Sequence, residues 1–173
     1  MGIKLVLPSK KYEQAVMDYK EEFECNQDDL DGTAGLDRTA TFEEWLENVK
    51  NTRDWDKVPE GYVPATTYLA VRKKDKRLVG MINIRHSLND YLKKYGGHIG
   101  YSVRKTERRK GYAKEILSLG LERCRKKKLD KVLLTCDKDN IASAKTILAN
   151  GGVLKNEVLE DDTVVQRYWI TLN

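Results

Sequence analysis

The sequence has few of the residues from which covalent and metal-held scaffolds are made. It carries three cysteines, Cys25, Cys124 and Cys136, far apart and odd in number, and two histidines, His86 and His98. No Cys-x-x-Cys occurs and neither histidine lies beside a cysteine, which argues against a disulfide framework and against a metal site. Such sparse cysteine suits a reducing compartment, so a cytoplasmic location is expected. Long apolar runs are missing as well. The longest near the start, Ile3 to Leu7, is too short for a signal peptide or a membrane span, so no membrane partner is expected. Met1-Gly2 opens like a myristoylation signal, but Val6 stands where Ser or Thr is needed. No Walker-type Gly-x-x-x-x-Gly-Lys-Ser/Thr occurs, and no repeat or low-complexity segment. No DNA or RNA motif occurs, and no basic stripe interleaved with aromatics, so nucleic acid is not an expected partner.

What is present suits one folded unit over residues 1–173, with 40% hydrophobic residues to build a core. The net charge of +5 is unevenly spread. Residues 1–62 hold 8 Lys/Arg and 15 Asp/Glu, a net of −7, and the remainder holds 24 and 12, a net of +12. Most of these charges belong on solvated faces. The asymmetry also suits an anionic ligand on the basic half and a cationic one on the acidic half.

Hydrophobic periodicity orders the elements as β-α-α-β-β-(α)-β-α-β-α-β-β. Ile3 to Leu7 reads as a strand ended by Pro8. Ser9 is expected to cap a helix reaching about Cys25, with Tyr12, Val16, Tyr19 and Phe23 on one face. Asn26 to Arg38 reads as an acidic loop. Thr41 caps a second helix carrying Phe42, Trp45, Leu46 and Val49 at i, i+3, i+4 and i+7. Strands follow over 66–72 and 77–86, joined by a charged turn, then a short helix over 88–95 stopped by Gly96-Gly97. After the strand 98–103 comes a long helix whose inner face is Ala113, Ile116, Leu117, Gly120, Leu121 and Cys124. A strand over 131–136 and a helix over 140–150 follow, the helix with Ile141, Ala144, Ile147 and Leu148 as its inner face. A hairpin around Glu160-Asp161-Asp162 closes the chain.

The stretch Arg108-Arg109-Lys110-Gly111-Tyr112-Ala113 lies between the 98–103 strand and the long helix. The first N–H groups of a helix have no intrahelical partner, and the aligned peptide dipoles make that end positive. A phosphate is the natural occupant, and Gly111 has no side chain to hold it off the backbone.

Arg108-x-x-Gly111-x-Ala113 at this strand-to-helix turn resembles the pyrophosphate-binding motif of the GNAT superfamily of acyl-CoA-dependent N-acyltransferases, and the order of elements is similar over almost the whole chain. The stretches Gly96 to Val103, Cys136-Asp137, Asn140 to Ser143 and Arg167 to Ile170 look like a bacterial branch of that superfamily. The resemblance implies an α/β (α+β) fold: a mixed, mostly antiparallel sheet flanked by helices, with one strand pair splayed apart for the cofactor. It implies acetyl-CoA as co-substrate and a primary amine, on a small molecule or a protein, as acceptor. It leaves room for a homodimer. Carried over, Tyr101, Ser102 and Val103 meet the pantetheine arm. Arg108, Arg109, Lys110, Gly111, Tyr112 and Ala113 surround the diphosphate, and Asn140 and Ser143 contact the cofactor from the next helix.

Many members place a tyrosine seven residues after that asparagine as acid for the leaving thiolate. Here that residue is Ile147, so Tyr101, Tyr112 or solvent must serve. This departure keeps open a CoA-binding sensor or interaction module without turnover. The amine must lose a proton before attack, and a histidine is the residue type whose pKa suits that task. His98, beside the expected acetyl position, is the candidate base, with Tyr101 as its catalytic partner. His86 is the second candidate base, and since the family often uses an acidic residue or a water relay instead, Glu21, Glu22 and Glu24 remain open; Glu22 and His86 are expected on the acceptor side.

Overall fold

The computed structural model describes residues 2–172. Its first sheet has the order β1-β2-β3-β4, formed by Ile3–Val6, Ala65–Arg72, Leu78–Arg85 and Ile99–Val103. Its second has the order β5-β7-β6, formed by Lys131–Asp137, Thr163–Thr171 and Val153–Glu160. Every pairing within these sheets is antiparallel. The helices are α1 (Glu13–Cys25), α2 (Phe42–Asn51), α3 (Tyr112–Lys126) and α4 (Ile141–Ala149).

β2 and β3 are buried along nearly their whole length, because both faces are covered. Tyr68, Ala70, Val79, Ile82 and Ile84 face a core shared with α3. Leu69, Val71, Leu78 and Met81 face a second core with Val16, Tyr19 and Phe23 of α1 and Phe42, Trp45 and Val49 of α2. α3 lies close on its side: a Cβ on Gly120 would come within 2.5 Å of the Ile82 Cδ1. The loop between α1 and α2 is packed rather than free. Leu36 is buried in it, and the Trp45 indole donates to the Thr33 carbonyl at 2.7 Å.

Thr41 caps α2 as expected, its hydroxyl accepting from the Glu44 N–H at 3.1 Å. Ser9 does not cap an α-helix. It precedes a single 3₁₀ turn, Lys10–Tyr12, without a side-chain bond, and α1 begins at Glu13. The short helix before β4 closes as a wide π-turn, Leu92–Gly96. In α4 only Ile147 is buried, while Ile141 and Leu148 are exposed. This nine-residue helix rests on α3 and β5, and packing along that one side accommodates a single stripe rather than the broad face its apolar residues suggested.

β4 and β5 belong to different sheets. They meet where β4 begins. The His98 N–H donates to the Leu133 carbonyl at 2.7 Å, and the Leu133 N–H donates to His98 Nδ1 at 2.9 Å. Among the described residues no ladder joins them beyond that contact, and the edge of β4 away from β3 has no strand partner.

Candidate active site

The turn into α3 begins where β4 stops. After a 3₁₀ turn, Lys105–Glu107, the backbone takes positive φ at Arg109 (64°) and again at Gly111 (86°). The first helix bond inward is from the Glu115 N–H to the Gly111 carbonyl, 3.2 Å. Among the described residues, the N–H groups from Arg109 to Lys114 donate to no protein acceptor, and no side chain caps the helix. A Cβ built on Gly111 meets nothing within 4 Å, so this face of the turn is open. The result is a run of outward amides at the positive end of a 15-residue helix.

Side chains brace this turn from behind. The Glu107 carboxylate, buried, accepts from Arg72 at 2.7 Å, Arg77 at 2.9 Å and Lys110 at 3.1 Å. Burial works against its charge, but Lys110 and Arg72 outweigh that and hold its pKa below the usual range. Arg108 donates from Nε to the Val103 carbonyl at 2.8 Å and pairs with Asp28 at 3.1 Å. Of the three basic side chains expected around the anion, Arg108 and Lys110 are therefore in ion pairs, and Arg109 has none among the described residues.

A cavity of about 820 Å³ runs from this turn into the gap between β4 and β5. Tyr101, Ser102 and Val103 line it from β4, and Thr135, Cys136 and Asp137 from β5. Gly111, Tyr112 and Ala113 line it from α3, and Asn140, Ser143 and Thr146 from α4. Asn140 caps α4, its Oδ1 accepting from the Ser143 N–H at 3.1 Å. The Tyr101 hydroxyl lies 3.0 Å from the Ser143 hydroxyl across the gap. Burial raises the Tyr101 pKa, against a hydrogen bond from Ser143, so the phenol stays protonated at neutral pH. Ile147 is fully buried in the core and does not line the cavity. Ser102, also on β4, turns its hydroxyl to Tyr19 of α1, 2.9 Å away.

The remaining candidates lie elsewhere. His98 does not line the cavity. Its Nδ1 is taken by the Leu133 amide, and burial, with the nearby Arg85 charge, depresses its pKa to about 4. A base so weak, with that lone pair already used, fits a tie between sheets better than proton abstraction. His86 is bonded to the Thr66 hydroxyl at 2.8 Å and also lies off the cavity. Glu22 is fully engaged: Arg104 donates to one oxygen, and the Thr106 N–H and hydroxyl donate to the other at 3.0 and 2.8 Å. Burial opposes its charge, but those donors prevail and its pKa is lowered. Glu22 does not line the cavity, and its carboxylate is turned to Arg104 and Thr106 instead.

The acidity of the first 62 residues suited a cationic ligand, but the sequence did not single out the carboxylates that form the acidic wall. Asp28, Asp29 and Asp31, from the loop after α1, face Asp137 and Glu160 in the same cavity, with Arg85 between the loop and the sheet. The signal was the acidity of that loop. Nothing local said which of its carboxylates would reach β4. Among the described residues no His, Cys, Asp or Glu group is arranged to hold a metal, and no helix is long and apolar enough to cross a membrane.

A family model described as an acetyltransferase (GNAT) domain matches residues 16–153. No curated protein sequence matches the chain. Among solved structures, the ribosomal-protein-S5-alanine acetyltransferase from Vibrio fischeri aligns with a TM-score of 0.72 at 16% identity, covering 100% of this chain and 94% of that one. A ribosomal L7/L12 alpha-N-protein acetyltransferase in complex with coenzyme A gives 0.69 at 16%, covering 99% and 95%. A spermidine N-acetyltransferase chimera from Vibrio cholerae and hSSAT gives 0.67 at 13%, covering 99% and 96%. At these identities the likeness establishes a shared fold.

Proposed function

Because this chain belongs to the GNAT acetyltransferase family and is an acyltransferase that uses acetyl-CoA, we propose that it transfers the acetyl group to a primary amine in the gap between β4 and β5. The observation that carries this reading is a coincidence in one cavity. The unpaired edge of β4 and the unbonded amides of the first turn of α3 open into the same space. A diphosphate suits the amides from Arg109 to Ala113. The two amides of a pantetheine arm suit a strand edge, to which they can add as a further strand does. An N–H of that edge, between Tyr101 and Val103, then faces the thioester carbonyl and stabilises the charge that grows on its oxygen, worth about 3 kcal/mol for one well-placed donor.

The departing thiolate needs a proton. The Tyr101 hydroxyl, held by Ser143 on α4, is the donor in this reading and takes the place of the tyrosine that Ile147 displaces from α4. Asn140 holds the start of α4 against the cofactor arm. His98 ties the strands whose divergence makes the gap.

The test is acetyl-CoA binding, read as a shift in melting temperature. Acetyl-CoA should stabilise wild type and Gly111→Ala. The alanine meets no neighbour, but its φ of 86° is left-handed, so it lowers intrinsic stability by roughly 1 kcal/mol. Gly111→Glu sets a carboxylate where the diphosphate must approach and should respond to no concentration of ligand. Wild-type binding by the glutamate variant places the cofactor elsewhere and ends the proposal. A CoA-binding module without turnover is the second reading, favoured by the burial of Ile147 in the core. Continuous release of CoA thiol in the presence of an amine excludes it.

A further inference from the structure

We propose that Asp31 is the base that deprotonates the acceptor, and that the acceptor is an alkyl ammonium carrying further positive charge. The inference rests on the acetyl transfer proposed above and names the amine side of that site.

Three observations lead to it. First, the loop carrying Asp31 is pressed onto β4 at the expected acyl position. Gly32, with φ of 71°, sits so close that a Cβ there would lie 2.4 Å from the Gly100 carbonyl oxygen and 2.6 Å from the Tyr101 Cα. Asp31 is thereby fixed one residue from the strand edge, lining the cavity. Second, among the described residues its carboxylate has neither a hydrogen bond nor an ion pair. Three other acids of the cavity are partnered, and of the unpartnered ones only Asp31 adjoins the residue pressed onto β4. Asp28 is paired with Arg108, Glu107 with three cations, and Glu160 accepts from the Tyr91 hydroxyl at 2.6 Å. Third, the surroundings make Asp31 a better base than a free aspartate. Asp31 is exposed to the open cavity, yet partial desolvation by the loop and sheet around it raises its pKa, the charges of Asp29 and Asp137 add to this, Arg85 opposes it, and Asp37 adds a smaller rise. Arg85 is itself turned to the Gly96 and Gly97 carbonyls, 3.1 Å from each.

Asp29 and Asp137 also line the cavity without an ion pair among the described residues. Three carboxylates without an ion pair thus lie close together in the cavity. That grouping favours an acceptor with more than one positive charge.

Asp31 takes one proton from the ammonium nitrogen. The freed lone pair attacks the thioester carbonyl carbon, the C–N bond forms, and the C–S bond breaks as the tetrahedral intermediate collapses. The thiolate receives the Tyr101 proton. The second proton of the new amide nitrogen restores the tyrosine through Ser143, and Asp31 gives its proton to solvent. One ammonium and one thioester yield one amide, one thiol and one proton.

The experiment compares wild type with Asp31→Asn, using thiol release with two amines at neutral pH. Diaminobutane is a dication there, and trifluoroethylamine is already neutral. Melting with and without acetyl-CoA accompanies each assay. Asp31 is exposed and unpaired, so the asparagine variant should melt like wild type and gain the same stabilisation from acetyl-CoA. Its kcat/KM for diaminobutane should fall by about 10²-fold or more, and for trifluoroethylamine by less than about threefold. Asp31→Glu, which keeps a base, should recover part of the loss. Equal losses for both amines, or no loss for the diamine, overturn the assignment of Asp31. Wild type that binds acetyl-CoA but prefers the neutral amine overturns the cationic acceptor alone. Wild type that gains no stability from acetyl-CoA overturns the cofactor site itself.

Discussion

Tyr101 shows how one residue on a strand edge serves two needs. Its backbone belongs to the edge proposed for pantetheine, while its side chain crosses the gap to Ser143, 3.0 Å away. A phenol with a pKa above its ordinary value remains a proton donor throughout the neutral and mildly alkaline range. Tyr101→Phe keeps the ring and its packing and removes the hydroxyl that would donate the proton. Steady-state thiol release should show kcat lower by about 10²-fold, with the KM for acetyl-CoA within about threefold of wild type. A rise in KM with kcat unchanged would assign the hydroxyl to binding instead. The histidines teach the complementary lesson. His98 has the residue type for a base and the right strand, but its Nδ1 lone pair is spent on the Leu133 amide. Residue type named the candidate, and the hydrogen-bond partner decided its use.

Among the elements, α3 depends on the turn before it. Its first amides point outward because positive φ at Arg109 and Gly111 turns the chain sharply, and Glu107 holds that turn by gathering Arg72, Arg77 and Lys110. Removing one partner of a buried ionic cluster leaves the others uncompensated. Glu107→Gln should therefore lower stability by about 3 kcal/mol in urea denaturation. At temperatures where the variant is folded, it should also raise the KM for acetyl-CoA more than it lowers kcat. Unchanged stability would mean that the cluster is only a surface arrangement. α4 is the element that periodicity misjudged most. Ile141 and Leu148 are apolar at helical spacing yet exposed, because a short helix on one neighbouring layer has room for one buried row.

At the scale of the molecule, two sheets meet at one histidine. His98 is neutral in the folded protein, with a pKa near 4, whereas the unfolded chain protonates it near 6.5. Because the folded value lies below the unfolded one, acid favours unfolding. Above pH 6.5 the residue costs nothing. Stability then falls as pH drops from about 6.5 to about 4, by roughly 3 kcal/mol in all, and levels off below. His86, also depressed by burial and by Lys127, acts in the same direction. His98→Gln offers Leu133 an acceptor that does not titrate. Chemical denaturation across this range should show a shallower loss for the variant than for wild type, and parallel curves would place the tie elsewhere. If the proposed cofactor spans both sheets, acetyl-CoA at a hundredfold excess over its Kd should add about 2.7 kcal/mol to both proteins.

Much of this architecture was legible along the chain. Alternation and helical spacing marked the strands and long helices, since local burial imprints its period on the residues. The glycine turn before α3 was legible for the same reason: its chemistry lies within six consecutive positions. The departure at Ile147 was also plain. What folding alone decided were the meetings between distant segments. Glu22 goes to Arg104 and Thr106, His98 to Leu133, Tyr101 to Ser143, and Asp31 arrives beside β4 through Gly32. Each pairs residues more than thirty positions apart, and a side chain's chemistry is set by the partner that reaches it. No local pattern encodes that partner, so the sequence indicated where an anion would sit, and the tertiary structure determined which side chains remain free to act on what lies next to it.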